Sequence, residues 1–220
     1  MYRPHAQVLG DELWAQLKEL APLRMRPARS VLLREGDPGT HVLLLAHGSA
    51  AITLTAGSGE RTLLAVRGAG ELLGELAVLD AQPRTATVFA AENCGVHVVP
   101  ATEFLRFVEQ HDLLKPLLRH AIARVREADT VRLELATASV PVRLASALGR
   151  LCKASTSSSA PFVTVRLTQT ELSQLIGASR NAVGTALRPW RERGWMETTS
   201  GGGIRIHNIS AIWSHAVNTP

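Results

Sequence analysis

Two short stretches of this chain combine residue types able to bind something anionic. The first runs Gly74-Glu75-Leu76-Ala77-Val78-Leu79 and resumes at Pro83-Arg84-Thr85-Ala86-Thr87-Val88. A glycine-flanked turn presents backbone N–H groups to anionic oxygens. Arg84 adds a planar, permanently charged fork and Thr85 a hydroxyl donor, and both suit a phosphate. Glu75 repels a phosphate but can accept from a ribose 2′-OH. These side chains predict a site for a phosphate joined to a sugar.

The second stretch spans Thr168 to Leu187. Thr168 with Glu171 fits a capping box that starts a helix, whose apolar face is Leu172 and Ile176. Gly177-Ala178 makes a tight turn, and Ser179 caps a second helix buried through Val183 and Leu187. Helix, glycine turn and helix form a helix-turn-helix. The second helix exposes Ser179, Arg180 and Asn181 in its first turn and Thr185 in its next. Arginine bonds bidentately to guanine and asparagine to adenine, each worth about 1–3 kcal/mol of discrimination. Asn181 equally suits a plain capping or solvent position. Arg188, Arg191, Arg193 and Arg205 fit phosphate contacts or solvated surface. Pro189 is expected to kink or shorten this helix after Arg188. Trp195-Met196-Glu197 and Ile204-Arg205-Ile206 flank Ser200-Gly201-Gly202-Gly203 and predict a β-hairpin wing.

The elements that must position these residues alternate in kind along the chain. Asp11–Leu20 has the pattern of a short amphipathic helix. Strands are expected at Val31–Leu33, Val42–Leu45, Ala50–Thr55, Thr62–Val66, Ala86–Phe89 and Val96–Val99, with glycine turns between them. That pattern predicts an antiparallel barrel or roll. From Leu113 to Leu135 the periodicity is helical. Leu114, Leu118, Ala121, Val125 and Ala128 follow the spacing of a seam between paired helices. The same pattern would also serve a helix packed on its own domain. Pro116 is tolerated only in a first turn, so the rigid helix is expected from about Lys115. Pro141 marks a break before a further helix, Val142–Lys153. The uncharged segment 155–161 is expected to be a flexible connection.

Charge separates the two ends of the chain. Residues 1–137 carry 15 Lys and Arg against 16 Asp and Glu, and residues 138–220 carry 9 against 3; the resulting −1 and +6 give the net +5. A basic C-terminal part implies that this part meets a polyanion. A hydrophobic content of 45% in 220 residues suffices for proper cores and excludes a disordered chain. No apolar run approaches the roughly 18 residues of a membrane span, and no signal-peptide layout is present, so a cytoplasmic location is expected. Cys94 and Cys152 are too few for an iron–sulfur cluster and are expected to be structural thiols. No spacing suggests a catalytic set or a metal site, and scattered histidines give no support to a haem ligand.

In order, these parts resemble the Crp–Fnr family of bacterial transcription regulators. Arg34-Glu35-Gly36-Asp37-Pro38 and His47-Gly48-Ser49 match early turns of the family's roll. The Gly74–Val88 stretch resembles its phosphate-binding cassette, and Gly177-Ala178-Ser179-Arg180 with Val183-Gly184 its recognition-helix start. The resemblance implies an α+β fold: an N-terminal antiparallel β-roll of the cyclic-nucleotide-binding jelly-roll type at 1–110, a long dimerisation helix at 111–137 and a C-terminal winged helix-turn-helix at 138–220. It implies a non-enzymatic homodimer on twofold-symmetric double-stranded DNA that recruits RNA polymerase, with no required cofactor and no membrane partner. By the same resemblance Gly74 and Glu75 meet the sugar, and Arg84 and Thr85 the phosphate, of an effector such as cyclic AMP, with Leu76 also in the ligand site. Thr168, Ser179, Arg180, Asn181, Thr185, Arg188 and Arg205 meet DNA.

Two departures from the family pattern bear on specificity. Where cyclic-AMP-responsive members place hydroxyl residues on the long helix, this chain has Ala128-Asp129-Thr130. A carboxylate is the better partner for guanine N1–H and N2–H₂, so a guanine-containing cyclic nucleotide competes with cyclic AMP as the expected effector. Asn181 and Thr185 replace a glutamate and a second arginine, so the half-site is expected to differ. A ligand-independent regulator, with Glu75 and Arg84 paired to each other for structural reasons, is the alternative.

Overall fold

The computed structural model describes residues 3–57, 59, 61–154, 162–199 and 203–218. The expected connection at 155–161 and the wing tip at 200–202 lie outside the described residues. The chain divides into two compact units, residues 1–61 with 66–129, and residues 130–220 with 62–65.

The first unit opens with helices α1 (His5–Leu9) and α2 (Asp11–Glu19), separated by Gly10. There follow β1 (Leu23–Arg26), β2 (Val31–Leu33), β3 (His41–His47), β4 (Ser49–Thr55), β5 (Arg61–Gly68) and β6 (Glu71–Leu73). A short helix α3 (Glu75–Leu79) precedes β7 (Thr87–Ala90), β8 (Cys94–Pro100), α4 (Ala101–Gln110) and α5 (Leu114–Thr137), of which residues 130–137 belong to the second unit. The strands form two four-stranded sheets, ordered β1-β8-β3-β6 and β2-β7-β4-β5. This is the expected roll. β1 and β6 escape sequence analysis because every β1 residue is exposed and β6 has three residues, so neither alternates.

Strand β3 shows how this core is built. Side chains alternate across a strand, so Leu43 and Leu45 face the space between the sheets with Leu33, Leu73, Val88 and Val96. Val42 and Leu44 face the other way, into a cluster with Trp14, Leu17, Phe104, Phe107 and Leu117 from the helices. Burial on both faces explains the unbroken apolar run Val42-Leu43-Leu44-Leu45 where polar alternation would otherwise appear. α5 starts at Leu114, and Pro116 sits in its first turn, where a missing N–H costs no helical bond.

The second unit contains α6 (Val140–Ala154), β9 (Val163–Val165), α7 (Gln169–Leu175), α8 (Arg180–Glu192), β10 (Met196–Thr198), β11 (Ile204–Ile206) and α9 (Ile209–Asn218). The strands pair antiparallel in the order β10-β11-β9. Leu144, Leu148, Leu172, Ile176, Val183, Leu187, Trp190 and Ile212 make the core. Two expectations need correction. The helix expected from Val142 begins at Val140, because Pro141 fits the first turn and the break falls just before it. Pro189 does not shorten the recognition helix, which runs on to Glu192. The buried Leu187 and Trp190 on either side of the proline hold the last turn against the core, offsetting the lost backbone bond.

Candidate ligand pocket and nucleic-acid interface

Gly74 ends β6 and precedes α3 with φ 81°, a left-handed conformation that glycine adopts without strain. A Cβ there would lie 2.3 Å from Arg84 Nη1, so the glycine also makes room for the guanidinium. The backbone of Arg84 is clamped to the Gly36-Asp37 turn, donating to Asp37 O at 2.8 Å and accepting from Gly36 N–H at 2.9 Å. Its buried side chain donates to the carbonyl oxygens of Gly74 and His41. A cavity of about 330 Å³ opens beside it, lined in part by Leu33, Arg34, Asp37, Thr40 and His41. Burial, with the charges of Arg84 and Arg26, holds the His41 imidazole below its ordinary pKa. Leu76 and Thr85 are exposed at the edges of the same segment.

Glu75 is buried, and its partner is not the one expected. Arg124 of α5 donates to Glu75 Oε1 at 2.8 Å, whereas Arg84 spends its donors on carbonyls. The proposed Glu75–Arg84 pair is therefore replaced by a Glu75–Arg124 pair, because α5 brings a second guanidinium to the carboxylate. Glu75 Oε2 has no hydrogen-bond partner among the described residues. Arg124 Nη2 also lies 3.5 Å from Glu71 Oε2. Glu71 in turn meets two buried histidines, His5 of α1 and His120 of α5. Burial pushes both imidazoles down to about 3 and keeps them neutral. Sequence analysis missed these groups. His5 and Glu71 lie 66 residues apart, and nothing local distinguishes His5, His120 or Arg124 from surface residues.

Asp129 and Thr130 are exposed on α5. Asp129 follows Val125 by four residues and continues the line of Leu118, Ile122 and Val125, all exposed apolar side chains. Among the described residues Asp129 makes no hydrogen bond or ion pair.

In the second unit, Thr168 and Glu171 form the expected capping box. Thr168 N–H donates to Glu171 Oε2 at 2.7 Å and Glu171 N–H to Thr168 Oγ1 at 3.2 Å. Arg143 caps the other end of α7, donating to Ile176 O at 2.9 Å and Gly177 O at 3.2 Å. Gly177, at φ 57°, turns the chain into Ser179, whose Oγ accepts from Ala182 N–H at 3.1 Å. With Val183 and Leu187 buried, α8 presents Arg180, Asn181, Thr185, Arg188 and Arg191 together on one outward face beside Gln169. Cations and amides on one exposed helix face have the chemistry of a groove reader. Arg205 stands apart on the wing. It pairs with Glu197 at 2.6 Å across the β10–β11 register and stacks over Phe162 at 4.5 Å.

A β-roll and a helix-turn-helix with its β-hairpin define a class of DNA-binding transcription regulator. Two family models match accordingly: a cyclic nucleotide-binding domain over residues 23–111 and a Crp-like helix-turn-helix domain over residues 142–213. The cyclic AMP receptor protein of Thermus thermophilus is 30% identical over 176 residues, 78% of this chain and 77% of the relative. A CRP-like cAMP-activated global transcriptional regulator of Mycobacterium tuberculosis is 29% identical over 185 residues, 83% of this chain and 82% of the relative. The structure of a CRP/FNR-family transcriptional regulator from Thermus thermophilus shares the fold with a TM-score of 0.71 at 22% identity, covering 90% of this chain and 100% of that one. The chain belongs to the Crp–Fnr family of bacterial transcription regulators. No described helix is long and apolar enough to cross a membrane.

Proposed function

We propose that the chain is a cytoplasmic, non-enzymatic homodimer that binds twofold-symmetric double-stranded DNA and is gated by a cyclic nucleotide held in the roll. The observation that carries the gating is the pair of buried, oppositely charged groups flanking Gly74. Glu75 keeps one buried carboxylate oxygen without a hydrogen-bond partner among the described residues, an acceptor suited to a ribose hydroxyl. Arg84 donates to two carbonyls that a cyclic phosphate would replace as acceptor, with Thr85 beside it and Leu76 against the sugar. Relatives described as cAMP-activated make cyclic AMP the first effector to try. Asp129, with Thr130 next to it, favours a guanine-containing cyclic nucleotide as the competitor. The exposed stripe Leu114, Leu118, Ile122 and Val125, each at least 43% exposed in one chain, supports pairing through α5. Thr168, Ser179, Arg180, Asn181, Thr185, Arg188 and Arg205 meet the DNA, with Arg180 reading a guanine. RNA polymerase is the downstream partner that the family implies.

A titration of operator-containing DNA with and without cyclic AMP and cyclic GMP, at fixed salt, tests this reading. A cyclic nucleotide that tightens DNA binding supports it, and Asp129→Ala is expected to narrow the preference between the two. The second reading rests on the satisfied donors of Arg84 and on the Glu75–Arg124 pair, a network that closes without a ligand. A thermal-shift screen separates the two readings. A ligand at 100 times its Kd adds about 2.7 kcal/mol of stability, whereas a ligand-independent regulator stays unmoved.

A further inference from the structure

We propose that His5, Glu71 and His120 form a binding site for a divalent transition-metal ion of the zinc type, where α1, β6 and α5 meet and next to the Gly74–Thr85 turn, His5 Nε2 lying 3.9 Å from Glu75 Oε1. The three residues come from α1, β6 and α5 and are 1%, 2% and 3% exposed. One ligand atom from each lies within 4.8 Å of the others. Glu71 Oε2 is 2.7 Å from His5 Nδ1 and 3.7 Å from His120 Nε2. Bonds of about 2.0–2.2 Å in a tetrahedral zinc site place ligand atoms about 3.3 Å apart, so those two separations straddle the required value. Small side-chain rotations bring the three atoms onto one ion.

The donor set is chemically right. Two imidazoles and one carboxylate suit zinc and its first-row neighbours, and exclude the all-oxygen preference of calcium or magnesium. His5 Nδ1 lies 3.1 Å from Leu72 N and 2.7 Å from Glu71 Oε2, and it would exchange its Leu72 contact for the ion. Glu71 and Glu75 are two buried carboxylates that both contact the Arg124 guanidinium. A bound ion would tie α1 to β6 and α5 and draw Glu71 away from Arg124, leaving Arg124 to Glu75.

The test uses the full-length chain stripped of metal by a chelator. Titration with Zn2+ followed by calorimetry, and with Co2+ followed by its visible d–d absorption, is expected to show one ion per chain at micromolar affinity or better. His5→Asn and His120→Asn are expected to weaken that binding by about 100-fold or more, since loss of even a supporting outer-shell contact costs 10–100-fold. His47→Asn, at an exposed position, is expected to leave it unchanged. Circular dichroism checks that the variants are folded. If neither variant folds, the Co2+ spectrum of the unaltered chain decides, because a four-coordinate site absorbs far more intensely than hydrated Co2+. A weak, six-coordinate spectrum, no saturable binding, or binding that survives loss of both histidines overturns the proposal.

Discussion

Replacing Gly74 by alanine tests whether the turn between β6 and α3 is built around the Arg84 guanidinium. Two costs are expected. The left-handed φ of 81° penalises any L side chain by about 1–2 kcal/mol. The new methyl group would also sit 2.3 Å from Arg84 Nη1 and 2.8 Å from Leu33 Cδ1. Leu33 can give way at its methyl end, but Arg84 is buried and held by the Gly74 and His41 carbonyls. Moving it weakens two charge-assisted hydrogen bonds worth about 1.5–3 kcal/mol each. Partial loss of these brings the total to about 3–5 kcal/mol, or a fall in melting temperature of about 6–20 °C for a chain of this size. A double-mutant cycle isolates the clash. In an Arg84→Met background the guanidinium is gone, and Gly74→Ala is expected to cost only the backbone strain of about 1–2 kcal/mol. Urea unfolding followed by circular dichroism measures all four proteins. If the two substitutions prove additive, the steric link between Gly74 and Arg84 is wrong.

Three further outcomes follow from single groups. Arg180→Ala is expected to weaken specific DNA binding by about 5–150-fold per half-site, as for loss of one bidentate base contact, with a smaller effect on non-specific DNA; equal loss on both, in band-shift titrations at one salt, removes base reading from Arg180. Ser179→Ala removes the acceptor for Ala182 N–H and is expected to destabilise the fold by about 1 kcal/mol, whereas Ser179→Gly costs a few tenths; denaturant unfolding that ranks glycine below alanine refutes the cap. Burial pushes the Cys152 thiol up to about 11, so it gains its charge only at high pH. At pH 8 its thiolate fraction is about 100-fold below that of an ordinary thiol of pKa 9, and alkylation of the folded chain should slow in proportion; labelling as fast as in the urea-unfolded chain contradicts its placement.

What was legible in the sequence was local. The Thr168–Glu171 box, the Ser179 cap and the buried pair Val183 and Leu187 are short-range patterns, and each forms as its spacing requires. Glycine turns and apolar runs likewise located β2 to β5, β7 and β8, because alternation and turn chemistry act over a few residues. Pro189 shows where local reasoning fails. Its cost to a helix is real, but Trp190, fully buried beside it, repays that cost through contacts a local pattern does not reveal.

The charged groups of the roll failed for the same physical reason. Glu75 and Arg84 are recognisable by type and spacing, and opposite charges so close in sequence invite the inference of a pair. Pairing depends on which guanidinium reaches the carboxylate in the folded chain. Arg124, on a helix 49 residues away, reaches Glu75 at 2.8 Å, and Arg84 turns to backbone carbonyls instead. The turn that carries Gly74 and Glu75 is thereby linked to α5 by an ion pair, with one carboxylate oxygen left over. A ribose hydroxyl accepted by that oxygen would bear directly on the residue that α5 contributes. On the proposed function, an effector held by Glu75 would act on α5 through Arg124.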